Sequence, residues 1–289
     1  MNVLLTGATG FTGSHVLPLL RERGARVRCL VRPRSDRSLL PPDVELIEGD
    51  IGDAESLARA LDGIDTLVNV ASLGFGQAPV LVAAAERAGV RRAVFISTTA
   101  VFTKLNAQTK SVRLAAEALI EGSALDYTIL RPTMIYGTAR DRNMVRLIRY
   151  LRRWRVLPVV GNGEHLQQPV YVGDVAAAAV QAIDAPAAVR RAFNISGGSA
   201  LTFNQVIDTI AALMRRRVWK IHVPAAPVIG ALGAVERLGV RLPVRKEQIE
   251  RLNEDKAFDH GEAARAFGYA PLPFAEGIRR ELESLGLLG

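Results

Sequence analysis

VLLTGATGFTG, residues 3–13, is the stretch on which the fold of this chain turns. A β-branched and leucine run (Val3, Leu4, Leu5) leads into Thr6-Gly7, and Gly10 and Gly13 follow before a helical pattern begins. Each glycine has a mechanical job. Gly7 lets the chain turn sharply off the strand, Gly10 lets a diphosphate approach the backbone, and Gly13 lets helix and strand pack closely. The amides at the start of the helix then face the phosphates, where the helix dipole favours negative charge. Strand, glycine loop and helix in this order predict a dinucleotide site, built around Gly7, Thr9, Gly10, Phe11, Thr12 and Gly13.

Outward from this loop, short apolar runs alternate with helical patterns. Strands are expected at Asn2–Thr6, Arg26–Val31, Val44–Ile47, Thr66–Asn69, Ala93–Ser97 and Tyr127–Leu130, with helices near 11–23, 54–61, 77–88 and 107–121. That alternation predicts an α/β, Rossmann-type doubly wound parallel sheet. Beyond Arg131 come an arginine-rich helix, a Gly-Asn-Gly turn at 161–163 and a strand-like Pro169–Val172. An alanine-rich helix at 174–184 and a strand around Phe193–Ile195 return to the sheet. The expected organisation is a nucleotide-binding domain over 1–198, with 131–167 contributing to a substrate cleft, and a smaller substrate lobe over 199–289.

A hydrophobic fraction of 49% and a charged fraction of 23% are those of a soluble globular protein. No apolar run reaches the length of a membrane span. Ala225–Val235 is too short to cross a bilayer and reads as packing within the lobe, interfacial docking being its lesser alternative. The strand that starts at residue 2 leaves no room for a leader peptide. Together with the single cysteine, Cys29, this predicts a cytoplasmic protein, with Cys29 a buried structural thiol. His15, His165, His222 and His260 lack ligand spacing, so no metal is expected. Seven of the basic residues behind the net charge of +8 are arginines between 140 and 155. Most read as the solvated face of an amphipathic helix, and one or two as holding an anionic small-molecule substrate. Interleaved aromatics of a nucleic-acid site are missing, so no nucleic-acid partner is expected.

An acidic side chain after the second strand would accept hydrogen bonds from a ribose 2′-hydroxyl, whereas arginine suits a 2′-phosphate. Here that position reads Val31-Arg32-Pro33-Arg34, so Arg32 and Arg34 favour NADP(H) over NAD(H). Asp50 and Ile51 are placed to meet the adenine, and Val70 and Ala71 the middle of the cofactor.

The chain resembles the short-chain dehydrogenase/reductase superfamily, in its extended and atypical branches that include NAD-dependent epimerases and dehydratases. The resemblance rests on TGATGFTG (6–13), EGD (48–50), ISTTAVF (96–102), AAEALI (115–120), LRPTMIYG (130–137), QPVYVGDVA (168–176) and FNISGG (193–198). It implies cofactor contacts from Ser97, Pro132, Thr133 and Met134, and a substrate-polarising hydroxyl at Thr98. It also implies a tyrosine and a lysine four residues apart. Alignment through Ala116-Glu117 puts Thr109 and Arg113 at those positions. A threonine hydroxyl is too weak an acid to replace phenol, and Arg113 can hold ribose hydroxyls but cannot relay a proton.

Four groups are candidates for the missing acid: Lys110, Lys104, Tyr136 and His165. With one of them in that role the chain is an NADP(H)-dependent oxidoreductase or epimerase-like enzyme acting on a carbonyl or alcohol, such as a nucleotide-linked sugar. With none of them, it resembles the redox-sensing NmrA type or the related accessory subunit of respiratory complex I, which bind the cofactor without turnover. By analogy with the superfamily, the helices at 77–88 and 107–121 form a homodimer contact.

Overall fold

A computed structural model describes residues 1–105, 109–237, 250 and 253–288. Seven parallel strands form the central sheet: β1 (Asn2–Thr6), β2 (Arg26–Val31), β3 (Glu45–Glu48), β4 (Thr66–Asn69), β5 (Arg92–Ile96), β6 (Asp126–Pro132) and β11 (Arg191–Ile195). Their order is β11-β6-β5-β4-β1-β2-β3. The chain winds outward from β1 in one direction to β3, then crosses back to β4 and runs the other way. This reversal opens a crevice at the carboxyl ends of β1 and β4, where parallel α/β sheets bind their ligands. Thr6 and Asn69 are paired across these strands, and the Thr6 hydroxyl donates to Asn69 Oδ1 at 2.6 Å.

Helices cover both faces. α2 (Ala54–Leu61), α3 (Ala78–Arg87) and α4 (Lys110–Glu121) bury one face, with Leu57, Leu81 and Ile120 packed against Leu4, Leu67 and Phe95. On the other lie α1 (Gly13–Glu22) and α6 (Val172–Gln181), whose Val16, Leu17, Val175 and Ala179 meet Val3, Leu5 and Val68. Strands buried on both sides read as continuous apolar runs, which is why β1 and β4 stand out in the sequence. Cys29 is fully buried on β2, and burial pushes its thiol up to about 12.

Most boundaries fall within a residue or two of expectation. The third strand is displaced by one residue, to Glu45–Glu48, on the exposed sheet edge where apolar patterning is weakest. The alanine-rich helix begins at Val172 rather than 174. The first residues of the helix expected at 107–121 lie outside the described residues, and α4 is described from Lys110.

The lobe draws on three separate stretches. α5 (Met144–Arg153), β8 (Val156–Val160), α7 (Phe203–Leu213) and α10 (Phe274–Ser284) share a core of Ile148, Leu151, Val159, Ile207, Ile278 and Leu282. β7 (Ile135–Tyr136) and β10 (Val170–Tyr171) pair beneath it, and β12 (Leu201–Thr202) pairs with β9 (Leu166–Gln167). β13 (Trp219–Val223) runs parallel to β8, followed by α8 (Ala225–Arg237). α9 (Gly261–Phe267) does not join this lobe: its Ala263, with Tyr269 beyond it, packs into the first domain's core. The tail therefore crosses the division expected at 198 and ties the two parts together. No helix among the described residues is long and apolar enough to cross a membrane.

Candidate active site

The glycine loop has the shape its spacing implies. Gly7 sits at φ +74°, and a Cβ there would lie 2.9 Å from the Ala71 amide nitrogen, so Val70 and Ala71 close directly on the turn. A Cβ on Gly13 would stand 2.1 Å from the Gly7 carbonyl oxygen. The loop is held by Gly10 N–H donating to Gly7 O (2.9 Å) and Ser14 N–H to Gly10 O (3.1 Å). At the mouth of α1, Thr12 places no side-chain cap on the helix. The Ser14 and His15 amides are taken by the Gly10 and Thr12 carbonyls, so a nucleotide diphosphate would be held by the loop amides ahead of Ser14 and by the helix dipole. The cradle thus fits a dinucleotide. Gly13→Ala is expected to weaken nicotinamide dinucleotide binding about tenfold or more, because the loop must move to admit a Cβ against the Gly7 carbonyl. Isothermal calorimetry measures it, and wild-type affinity in the variant would remove Gly13 from the site.

Other expected cofactor residues surround this cradle. Arg32 and Arg34 are exposed beyond β2. Asp50 Oδ1 accepts from the Gly52 amide at 2.8 Å and from Gln77 Nε2 at 3.0 Å, which fixes the loop carrying Ile51. Thr133 donates through its hydroxyl to Gln168 O, and its amide donates to Ile195 O at 3.1 Å. The Pro132 carbonyl accepts from the Thr99 hydroxyl at 3.3 Å. Arg113 Nη1 donates to Thr109 Oγ1 at 2.7 Å, and its guanidinium lies against Gly74 on the loop after β4. Thr109 and Arg113, expected at the tyrosine and lysine positions, therefore contact each other.

One residue of this site was missed. Arg140, on the loop between β7 and α5, reaches back to the glycine loop, where Nη2 donates to Thr9 O at 2.7 Å and Nη1 to Ser14 Oγ at 3.3 Å. A helical-face reading of the arginine run could not place it there, because Arg140 precedes the helix.

Beside the cradle, a cleft of about 990 Å³ opens beyond the carboxyl ends of β5 and β6. Thr98, Lys104, Thr133, Met134 and His165 all line it. Thr98 Oγ1 accepts from the Ala100 amide at 3.2 Å, an interaction that leaves its proton available to a substrate oxygen. His165 Nδ1 lies 3.2 Å from Asp255 Oδ1, and Asp255 also accepts from the Leu166 amide at 2.8 Å. The Leu166 amide and the His165 ring hold the Asp255 carboxyl below its usual range. Glu254 closes the same side by accepting from Thr103 Oγ1 and the Lys104 amide, both at 2.7 Å. Phe102, Met144, Leu147, Phe203, Val206 and Phe258 supply apolar walls, and Arg142 and Arg146 also line the cleft.

Two expected acids are not among the lining residues. The Lys110 ammonium donates to the carbonyl of Thr103, which borders the cleft. Tyr136 is 1% exposed, and its hydroxyl points at Phe274 O, 3.4 Å away, with its ring edge-on to Tyr171 and Phe274. Burial, then the charge of Asp174, pushes the phenol far above its usual range. The alternation of β7 turns Ile135 to the sheet core and Tyr136 into the lobe, so this tyrosine is a packing residue rather than a proton donor.

Beneath the cleft, Glu117 on α4 is 3% exposed. It accepts from Arg131 through Nε (2.9 Å) and Nη2 (2.6 Å), and from the Ser97 hydroxyl. Ser97, expected at the cofactor, is thus committed to this network. Arg131 in turn stacks on Phe102 at 5.3 Å, which joins the buried pair to the cleft wall.

Comparison with known proteins agrees with this geometry. A family model described as NAD(P)H-binding matches residues 7–186. The 2-alkyl-3-oxoalkanoate reductase of Stenotrophomonas maltophilia is 28% identical, over 97% of this chain and 98% of its own. The N-acetyl-alpha-D-glucosaminyl-diphospho-ditrans,octacis-undecaprenol 4-epimerase of Escherichia coli O157:H7 is 25% identical, over 98% and 94%. The UDP-glucose 4-epimerase of Thermotoga maritima superposes with a TM-score of 0.80 at 20% identity, covering 99% of each chain. The family match spans the glycine cradle and five strands of the parallel sheet, β2 to β6, and the chain belongs to the NAD(P)H-binding family, as a relative of the extended short-chain dehydrogenases/reductases.

Proposed function

We propose that this protein is an NADP(H)-dependent oxidoreductase that acts on a carbonyl or alcohol in a substrate with an anionic end and an apolar body. One observation carries the reading: a single cleft at the edge of the nucleotide cradle holds a hydroxyl (Thr98), an imidazole (His165), apolar walls and two arginines. The cofactor supplies the hydride chemistry when bound. Thr98 donates a hydrogen bond to the substrate oxygen and fixes the carbonyl. His165, oriented by Asp255, exchanges the proton, because imidazole is the side chain best suited to proton transfer near neutral pH. Lys104, on the same wall, is the second candidate. Arg142 and Arg146 hold the anionic end, which matches carboxylate or phosphate. Arg32 and Arg34 receive the 2′-phosphate. Arg113 serves the ribose from its position over Gly74, and Arg140 covers the diphosphate from the lobe side.

The apolar walls favour an amphiphile over a nucleotide-linked sugar. Both curated relatives named above carry substrates of that kind in their names: an alkylated oxo acid and a diphosphate-linked polyprenol.

Calorimetry with NADPH, NADP⁺, NADH and NAD⁺ tests the cofactor. The phosphorylated pair should bind more tightly, and Arg32→Asp should erase the preference. NADPH oxidation with 3-oxo acids of increasing chain length tests the chemistry. His165→Asn should lower kcat by about 100-fold or more and leave NADPH affinity intact. Binding without turnover on any carbonyl would instead favour a silent NADP(H) sensor, the reading that the Thr109–Arg113 contact supports. No binding of any of the four dinucleotides would overturn both.

A further inference from the structure

We propose that the outer face of the β8–β13 ribbon, with the arginines at its end, docks on an anionic lipid surface. The proposal rests on surface residues outside the cleft and stands independently of the substrate assigned above.

The face is defined by strand register. Trp219 pairs with Val156 and Ile221 with Pro158, so alternation puts all four on one side, while Leu157 and Val159 turn inward to the lobe core. Trp154 is extended (φ −123°, ψ 143°) two residues before Val156 and joins the same side. Among the described residues nothing covers this side: Trp219 is 71% exposed, Ile221 54%, Trp154 52% and Val156 44%. Isolated exposed apolar residues need no explanation, but two tryptophans, an isoleucine and a valine on one face of a two-stranded ribbon form a patch.

Charge identifies the occupant. Both strands enter the ribbon from arginine-rich segments at the same end, Arg152-Arg153-Trp154-Arg155 before β8 and Arg215-Arg216-Arg217 before β13. The two ends are joined by the Trp219 amide donating to Arg155 O at 2.7 Å. Outside the cleft, residues 142–163 and 209–235 carry seven arginines, Arg149, Arg152, Arg153, Arg155, Arg215, Arg216 and Arg217, while Lys220 is paired with Asp208. Arg153 stacks on Trp154 at 4.6 Å, which keeps cation and indole on the same surface.

Tryptophan favours the boundary between headgroups and acyl chains, where its ring is half apolar and half wet. Each basic residue near an anionic leaflet adds about fivefold to binding. A nucleic acid would use the arginines but has no use for Ile221 and Val156, and a second copy of this face would oppose arginine to arginine. The outer side of α5 shares this basic surface, while its Arg146 and Leu147 line the cleft. Docking here would bring the cleft close to lipid.

Trp154 and Trp219 are the only tryptophans in the chain, so intrinsic fluorescence reads this face alone. The full chain would be titrated with vesicles of phosphatidylglycerol and phosphatidylcholine in equal parts, and with phosphatidylcholine alone. A blue shift and cosedimentation with the anionic vesicles only are expected. Arg153→Glu/Arg217→Glu should weaken binding about 25-fold or more. Trp219→Ser should halve the shift and lower affinity, with thermal midpoints of both variants confirming the fold. The proposal is overturned by any of three results: no shift with anionic vesicles at low salt, undiminished vesicle binding in the charge-reversed variant, or a shift caused only by an RNA oligonucleotide or by raising the protein concentration.

Discussion

Arg131→Ala should cost about 3–5 kcal/mol of folding stability, the penalty for stranding one member of a buried ion pair. Glu117 would be left at 3% exposure with only the Ser97 hydroxyl to serve it. The bidentate contact that Arg131 makes through Nε and Nη2 has no substitute nearby, since Arg131 is the side chain that reaches Glu117 from β6. The comparison that isolates the mechanism is the double variant Arg131→Ala/Glu117→Ala. Removing both charges together should recover a large part of the loss, because the cost lies in the uncompensated charge rather than in the pair's net worth. Urea midpoints at unchanged m-value measure it. A double variant no more stable than the single one would show that packing, including the loss of Arg131 from the Phe102 ring, dominates instead.

Local signals and distant pairings divide what the sequence makes legible. Residues 3–13 announce strand, cradle and helix because every requirement falls within eleven consecutive positions. The lobe is different. β8 and β13 pair across 63 positions, and neither strand carries a turn signal pointing to the other. Tyr136 sits in a motif whose spacing places it near a cleft, but spacing does not say which side of β7 the ring takes. Nothing local in the sequence distinguishes His165 among the candidate acids. Its partner Asp255 is 90 residues away and meets it only through the fold. Arg140 reaches Thr9 from 131 residues away for the same reason. Lys110, adjacent to the tyrosine position in sequence, is drawn to a backbone carbonyl within its own loop.

Glu281 on α10 supplies a second large effect, with a sign that acid denaturation habits would get wrong. The side chain is 0% exposed, neither of its carboxyl oxygens meets a donor among the described residues, and Asp141 Oδ2 lacks one as well. Asp141 uses its other oxygen to accept from the Asn143 and Val145 amides at the start of α5. A proton kept on Glu281 would let it donate to Asp141 Oδ2 and spare the lobe two buried negative charges side by side. Burial, then the neighbouring Asp141, accordingly raises Glu281 to about 10. The unfolded chain releases this proton at an ordinary glutamate value, so the folded state holds one more proton than the unfolded state across the interval between. Its contribution is fully present in acid and is lost as pH rises towards 10, at about 1.4 kcal/mol per pH unit. Glu281→Gln keeps the shape, donates to Asp141 at every pH and removes the titration. The variant should match the wild type near pH 5 and exceed its stability progressively from pH 6 to 9. Other carboxylates titrate in both proteins, so the difference between the two curves isolates this site. Parallel curves over that range would mean that Glu281 is ionised in the folded protein and that the lobe carries a buried charge pair rather than a shared proton.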